Sequence, residues 1–147
     1  MGTRSLTFVY DGDTPLINLY RQYDGYPTGH GAELAEFLNG FAVGNGMSGN
    51  EPAKYANGAG CLAAQLVSNF KGSGPGQFYL HSVDATDCGQ DYEYRVFVTQ
   101  GKEILVSIVN KGCNMFGMTQ SDTTDVVFTG TVSELVAFCT EKETAES

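Results

Sequence analysis

The side chains best suited to chemistry lie together. Residues 19–31 (LYRQYDGYPTGHG) hold three tyrosines, an arginine, an aspartate, a histidine and three glycines. An apolar core has no use for that mixture; a ligand site does. The chemistry it suggests is capture of an anion. Arg4 and Arg21 are expected at the neighbouring ends of two strands. A helix beginning after Pro27 would add unpaired N–H groups and a partial positive charge. Gly29 and Gly31 let backbone approach a ligand, His30 adds a titratable donor, and Tyr26 offers a flat face and a hydroxyl. With Asp24, these residues form the candidate ligand-binding set: Arg4, Arg21, Asp24, Tyr26, Gly29, His30 and Gly31. The competing reading is structural. Arg4 pairs with Asp24 or Glu33, the tyrosines edge the core, Gly25 and Pro27 only turn the chain, and His30 caps.

Other chemistries are less well served. GYPTGHG is neither GxGxxG nor a P-loop, because no Lys-Ser/Thr follows. His30 and His81 are the only histidines. Asp84, Asp87 and Asp91 lack the pattern of a calcium loop and read as solvated acids. Cys61, Cys88, Cys113 and Cys139 contain no CxxC pair, so no zinc site is expected. Cys61 and Cys139 read as small core residues, whereas a disulfide between Cys88 and Cys113 stays open. No GxSxG elbow is present. No cofactor motif appears, and no metal is expected.

Residues 3–10 alternate as a strand, and Asp11-Gly12-Asp13 signals a turn. A second strand runs over 16–23 and completes a hairpin. Thr28 is the expected N-cap of a helix reaching Phe41. Residues 44–58 read as a loop, and a second helix spans 57–70. Its Gly58-Ala59-Gly60 start suggests close packing against a neighbour, or else close approach of a ligand to the helix end. Strands follow at 77–83, 91–99, 102–109 and 125–129, with a hairpin turn at Gln100-Gly101 and an irregular stretch over 110–122. Thr131 and Glu134 form a capping box for a short last helix. The fold class is therefore α+β. An N-terminal hairpin is followed by two helices, then a strand-rich half and a short C-terminal helix, with a mainly antiparallel sheet in a layered sandwich. Residues 1–140 form one globular domain, and 141–147 an acidic tail.

The chain has 147 residues and a formal charge of −9. That field disfavours non-specific contact with nucleic acid or an anionic membrane, and it suits solubility. A protein partner remains open, including one that the acidic surface meets as a nucleic-acid mimic. No stretch reaches the ~18 apolar residues of a membrane span, and without a signal peptide the expected location is the cytoplasm.

The residues Met1-Gly2-Thr3-Arg4, followed by the Gln22–Gly31 motif, resemble a family of small proteins from bacteria, their phages and some fungi. Its members begin MGTR before a QxDGYPxGxG motif. Residues 56–67, 77–80 and 87–89 resemble the bacterial and phage members. The family carries no established activity, so the resemblance implies kinship, and a phage- or defence-related setting, rather than a reaction. In its order of elements the chain is also similar to the N-terminal-nucleophile hydrolases. That likeness implies an amidohydrolase using Thr3, which a cut beyond Met1 would have to expose. The leading expectation is a domain that binds a small anion at the hairpin end.

Overall fold

Strand β1 (Ser5–Asp11, SLTFVYD) is small or apolar on both sides of the pleat, and Ser5 to Val9 are all buried. A strand covered on both faces belongs inside a sheet. The computed structural model describes residues 3–72, 76–85, 89–99, 103–111 and 125–146, without the side chains of 125 and 143–146. Cys88, Cys113, Asp87, the Gln100-Gly101 turn and residues 112–122 of the irregular stretch lie outside the described residues.

The other strands are β2 (Thr14–Arg21), β3 (Ala42–Gly44), β4 (Tyr55–Asn57), β5 (Phe78–His81), β6 (Tyr92–Thr99), β7 (Glu103–Asn110) and β8 (Asp125–Thr131). Six form one sheet in the order β5-β2-β1-β6-β7-β8. The N-terminal hairpin pairs β1 with β2 antiparallel, placing Ser5 opposite Arg21. On its other side β1 runs parallel to β6, with Thr7 opposite Tyr94. The β2–β5, β6–β7 and β7–β8 pairs are antiparallel. The fold is α+β with a mainly antiparallel sheet.

One face of this sheet carries Thr7, Val9, Leu19, Tyr94, Val96, Val106 and Ile108. Helices α1 (Ala32–Leu38), α2 (Gly58–Lys71) and α3 (Val132–Glu146) complete the core on that side. Their buried stripes are Leu34, Ala35 and Leu38; Ala59, Leu62, Ala63 and Leu66; and Leu135 with Cys139. Each stripe follows the 3.6-residue period. The opposite face holds Leu6, Phe8 and a Tyr10–Phe97 stack with ring centroids 4.7 Å apart. Asn18 ties the chain after β5 to it, its Nδ2 donating to the carbonyls of Ser82 (3.0 Å) and Ala85 (2.9 Å).

Local chemistry explains the element ends. Thr131 Oγ1 accepts from Glu134 N–H, and Glu134 Oε1 accepts from Thr131 N–H at 2.9 Å, the reciprocal capping box expected there. Helix α3 continues past Cys139 to Glu146, where the sequence predicts a tail; its Glu, Lys and Ala residues are good helix formers. At the end of α1, Lys54 Nζ donates to the carbonyls of Glu36, Phe37 and Asn39, three groups that the helix leaves unpaired. Lys54 thereby anchors the stretch read as a loop, whose two ends pair as the small parallel sheet β3–β4. Gly58 and Gly60 do not serve close packing: a Cβ on either meets nothing within 4 Å. Gly58 is needed instead for its φ of +85° at the strand-to-helix junction. At the sheet edge, Lys71 Nζ donates to the Phe78 carbonyl at 2.8 Å and lies 5.0 Å from the Tyr79 ring centroid, so a charge guards β5 against further pairing.

Candidate functional site

Arg21 ends β2 on the helix-covered face and is 4% exposed. Its Nη1 lies 3.1 Å from His30 Nδ1, its Nη2 2.9 Å from Glu33 Oε2, and its Nε donates to the Tyr23 carbonyl at 2.5 Å. The guanidinium carbon sits 5.0 Å from the Phe78 ring centroid. A guanidinium has donors only. His30 Nδ1 must therefore be the acceptor, and Nε2 must carry the proton. That proton is donated to Thr7 Oγ1, 2.7 Å away. His30 is completely buried, with ring centroids of Phe70 at 4.9 Å and Tyr94, edge-on, at 4.7 Å. Burial first, and the Arg21 charge second, push its pKa down to about 3.

This fixed tautomer decides what Thr7 and His30 can do. A threonine–histidine pair at 2.7 Å resembles an activated nucleophile. Activation requires a ring nitrogen free to take the hydroxyl proton, and Nε2 already carries one. Both residues are also fully buried. The pair is structural.

The same network holds the motif loop from inside. Gly25 N–H donates to the Thr3 carbonyl (2.9 Å), and the Gly25 carbonyl accepts from Tyr94 Oη (2.7 Å). Thr3, the residue a hydrolase reading would use, is thus tied through its carbonyl to this turn. Pro27–Gly31 forms a single π-helical turn leading into α1. The turn begins at Pro27, and no side chain caps it, so Thr28 is not the expected N-cap. His30 N–H donates to the Asp24 carbonyl at 2.8 Å, and the N–H groups of Gly29 and Gly31 donate to the Tyr26 carbonyl at 2.9 and 3.5 Å. The backbone donors expected to face an anion are thus occupied within the loop.

Asp24 completes the turn at φ +61°, an uncommon conformation for a non-glycine residue. A Cβ on Gly29 would lie 2.4 Å from the Asp24 carbonyl oxygen. Gly29→Ala is therefore expected to displace the loop and cost about 2 kcal/mol, the usual range for a forced overlap. A chemical denaturation midpoint within error of the parent's would contradict this.

Arg4 does not join Arg21. Ser5 is the residue opposite Arg21, and the pleat sends the preceding side chain to the other face. There Arg4 Nη1 lies 2.9 Å from where a Gly89 Cβ would stand. Glu33 pairs with Arg21 rather than Arg4. Of the candidate set, the structure brings Arg21, His30 and Gly31 into the interior, leaves Asp24 and Tyr26 outside, and separates Arg4. Tyr23, expected in the sheet, lies beyond the end of β2 and is 54% exposed. Asp24 Oδ1 accepts from Tyr26 Oη at 3.2 Å.

Tyr26 also lines a cleft of about 530 Å³ between the π-turn and α3. Pro27 and Thr28 continue its near wall; Phe138 and Lys142 of α3 form the far one. Tyr92, Asn110 and Val127, from the sheet, complete the lining. Cys139 holds the two sides together, its Sγ lying 3.6 Å from the Pro27 carbonyl. No family model, curated protein or solved structure matches this chain.

Sequence reasoning missed Tyr92, Asn110, Phe138 and Lys142 as site residues. A signal for two of them existed. The capping box fixes the phase of α3, and Leu135, Phe138, Cys139 and Lys142 recur at helical spacing on one side. Assigning 141–147 to a tail hid the lysine. Tyr92 and Asn110 come together through β6–β7 pairing, which places them directly opposite each other. Among the described residues no three His, Cys, Asp or Glu side chains come together as a metal-binding set, and no helix is long and apolar enough to cross a membrane.

Proposed function

We propose that this domain binds a small anionic molecule in the cleft between the π-turn and α3. Lys142 supplies the counter-charge, and Tyr26 presents the motif loop to the ligand. The observation that carries the reading is the meeting of these two residues on one cleft. Lys142 makes no ion pair among the described residues, and its Nζ stands 5.7 Å from the Phe138 ring centroid. An ammonium beside aromatic and hydroxyl groups in a concave site is suited to an anion that also has apolar surface. The buried Arg21–His30 network supports this indirectly, because it fixes the loop that displays Tyr26 and leaves little ordering to be done on binding.

The test is a thermal-shift screen of small carboxylates and phosphates at low ionic strength. A ligand at one hundred times its Kd adds about 2.7 kcal/mol to stability. For a domain of this size that raises Tm by roughly 5–10 °C. Lys142→Ala is expected to leave the unliganded Tm within about 2 °C, as exposed substitutions usually do, and to remove the ligand-induced shift. No shift from any compound, or an equal shift in the variant, would overturn the proposal.

A further inference from the structure

We infer that the ligand of this cleft is a mono-anion carrying an aromatic ring, an aryl carboxylate in chemical class, rather than a nucleotide or polyphosphate. The inference rests on the proposed anion site and narrows it. Charge narrows the ligand first. Lys142 is the one cation on the cleft walls among the described residues. Arg21 is buried against Glu33 and His30, Arg95 pairs with Glu93, Lys54 and Lys71 are bound to carbonyls elsewhere, and neither Arg4 nor Lys111 is among the residues lining the cleft. The chain as a whole carries −9. A ligand with two to four negative charges would find one partner and a repelling field. A ligand with one charge is matched.

The character of the walls narrows it further. Tyr26, Tyr92 and Phe138 contribute three rings, and Val127 an aliphatic patch. Aromatic walls favour a flat apolar partner by offset or edge contacts. Because the Lys142 ammonium sits 5.7 Å from the Phe138 centroid, a ring lying against Phe138 and a carboxylate attached directly to it reach both groups together. Thr28 and Asn110 add polar groups to the lining. The volume of about 530 Å³ accommodates a two-ring acid.

Isothermal titration with five probes tests this on the full chain: indole-3-carboxylate, neutral indole, acetate, inorganic phosphate and ATP. Indole-3-carboxylate is expected to bind at least about tenfold more tightly than each of the other four, and to lose about tenfold or more in Lys142→Ala, the change of one charge-assisted contact. Phosphate or ATP binding in a Lys142-dependent way, without the aryl acid, would overturn this inference and leave the anion-site proposal standing. Neutral indole binding as tightly as its carboxylate would overturn the charge requirement. If no probe binds in a Lys142-dependent way, both readings fall.

Discussion

Arg21→Ala is expected to destabilise the domain by about 2–4 kcal/mol, from a stranded buried acceptor and the cavity left behind. The loss comes from what Arg21 leaves behind. His30 Nδ1 and the Tyr23 carbonyl each lose their donor; His30 is fully buried, and a stranded buried acceptor costs about 1–3 kcal/mol. The space against Phe78 empties as well, and a cavity adds its own term. The Glu33 contact contributes little, since that carboxylate is 51% exposed and water replaces the partner. Arg21→Lys should recover only part of the loss, because one ammonium cannot reproduce donors spread over Nε, Nη1 and Nη2. Urea titrations with unchanged m-values measure both variants. A loss below about 1 kcal/mol, the scale of an ordinary surface substitution, would mean that the network does not support the fold.

That expectation reverses the role assigned to the arginine from sequence. As a ligand contact, Arg21 should be removable with the fold intact. As the centre of a buried network it is part of the fold, and binding falls to the residues the loop displays. The dense motif thus divides into two layers. Arg21, Gly25, Gly29, His30 and Gly31 explain how the loop is held, whereas Tyr23, Asp24 and Tyr26 are what it presents. Sequence composition marked the stretch as unusual without separating the layers. Separation depends on which side of the pleat each residue takes and on partners such as Thr7 and Tyr94, the latter 64 residues beyond His30 in the chain.

The two arginines show how fine that dependence is. Near the turn, Asp11 pairs with Thr14 and Tyr10 with Pro15. Continuing this register would set Arg4 opposite Arg21, side by side as expected. A bulge between Val9 and Tyr10 shifts the ladder by one residue, so Ser5 takes that place. One inserted residue reverses which face each later side chain occupies. The β6–β7 hairpin and the Thr131–Glu134 capping box were legible because their partners are close in sequence and their chemistry is local. The parallel β1–β6 pairing joins Ser5 to Tyr92 across the length of the domain, and no local pattern signals it.

The second large effect is a pH dependence that belongs to His30. Folded, its pKa is held near 3 by burial and then by the Arg21 charge, against an ordinary 6.5. The unfolded chain therefore binds a proton at higher pH than the native state does. Between those two values ν_U exceeds ν_N, so stability rises with pH and is lost as pH falls from 6.5 toward 3. The slope approaches about 1.4 kcal/mol per pH unit below 6.5, so at pH 4.5 the domain should be roughly 2–3 kcal/mol less stable than at pH 7 from this residue alone. Glu51 acts in the same direction nearer the carboxylate range, since hydrogen bonds, first from the Ser48 side chain, hold its pKa below the usual value. The control is His30→Gln. An amide can accept from Arg21 and donate to Thr7 as the neutral ring does, but it has no proton to gain over this range. The variant should be less stable at pH 7, having lost the ring contacts with Phe70 and Tyr94. Its stability should change less between pH 7 and 4.5, so the two curves converge on acidification. Parallel curves would show that His30 is not the residue responsible.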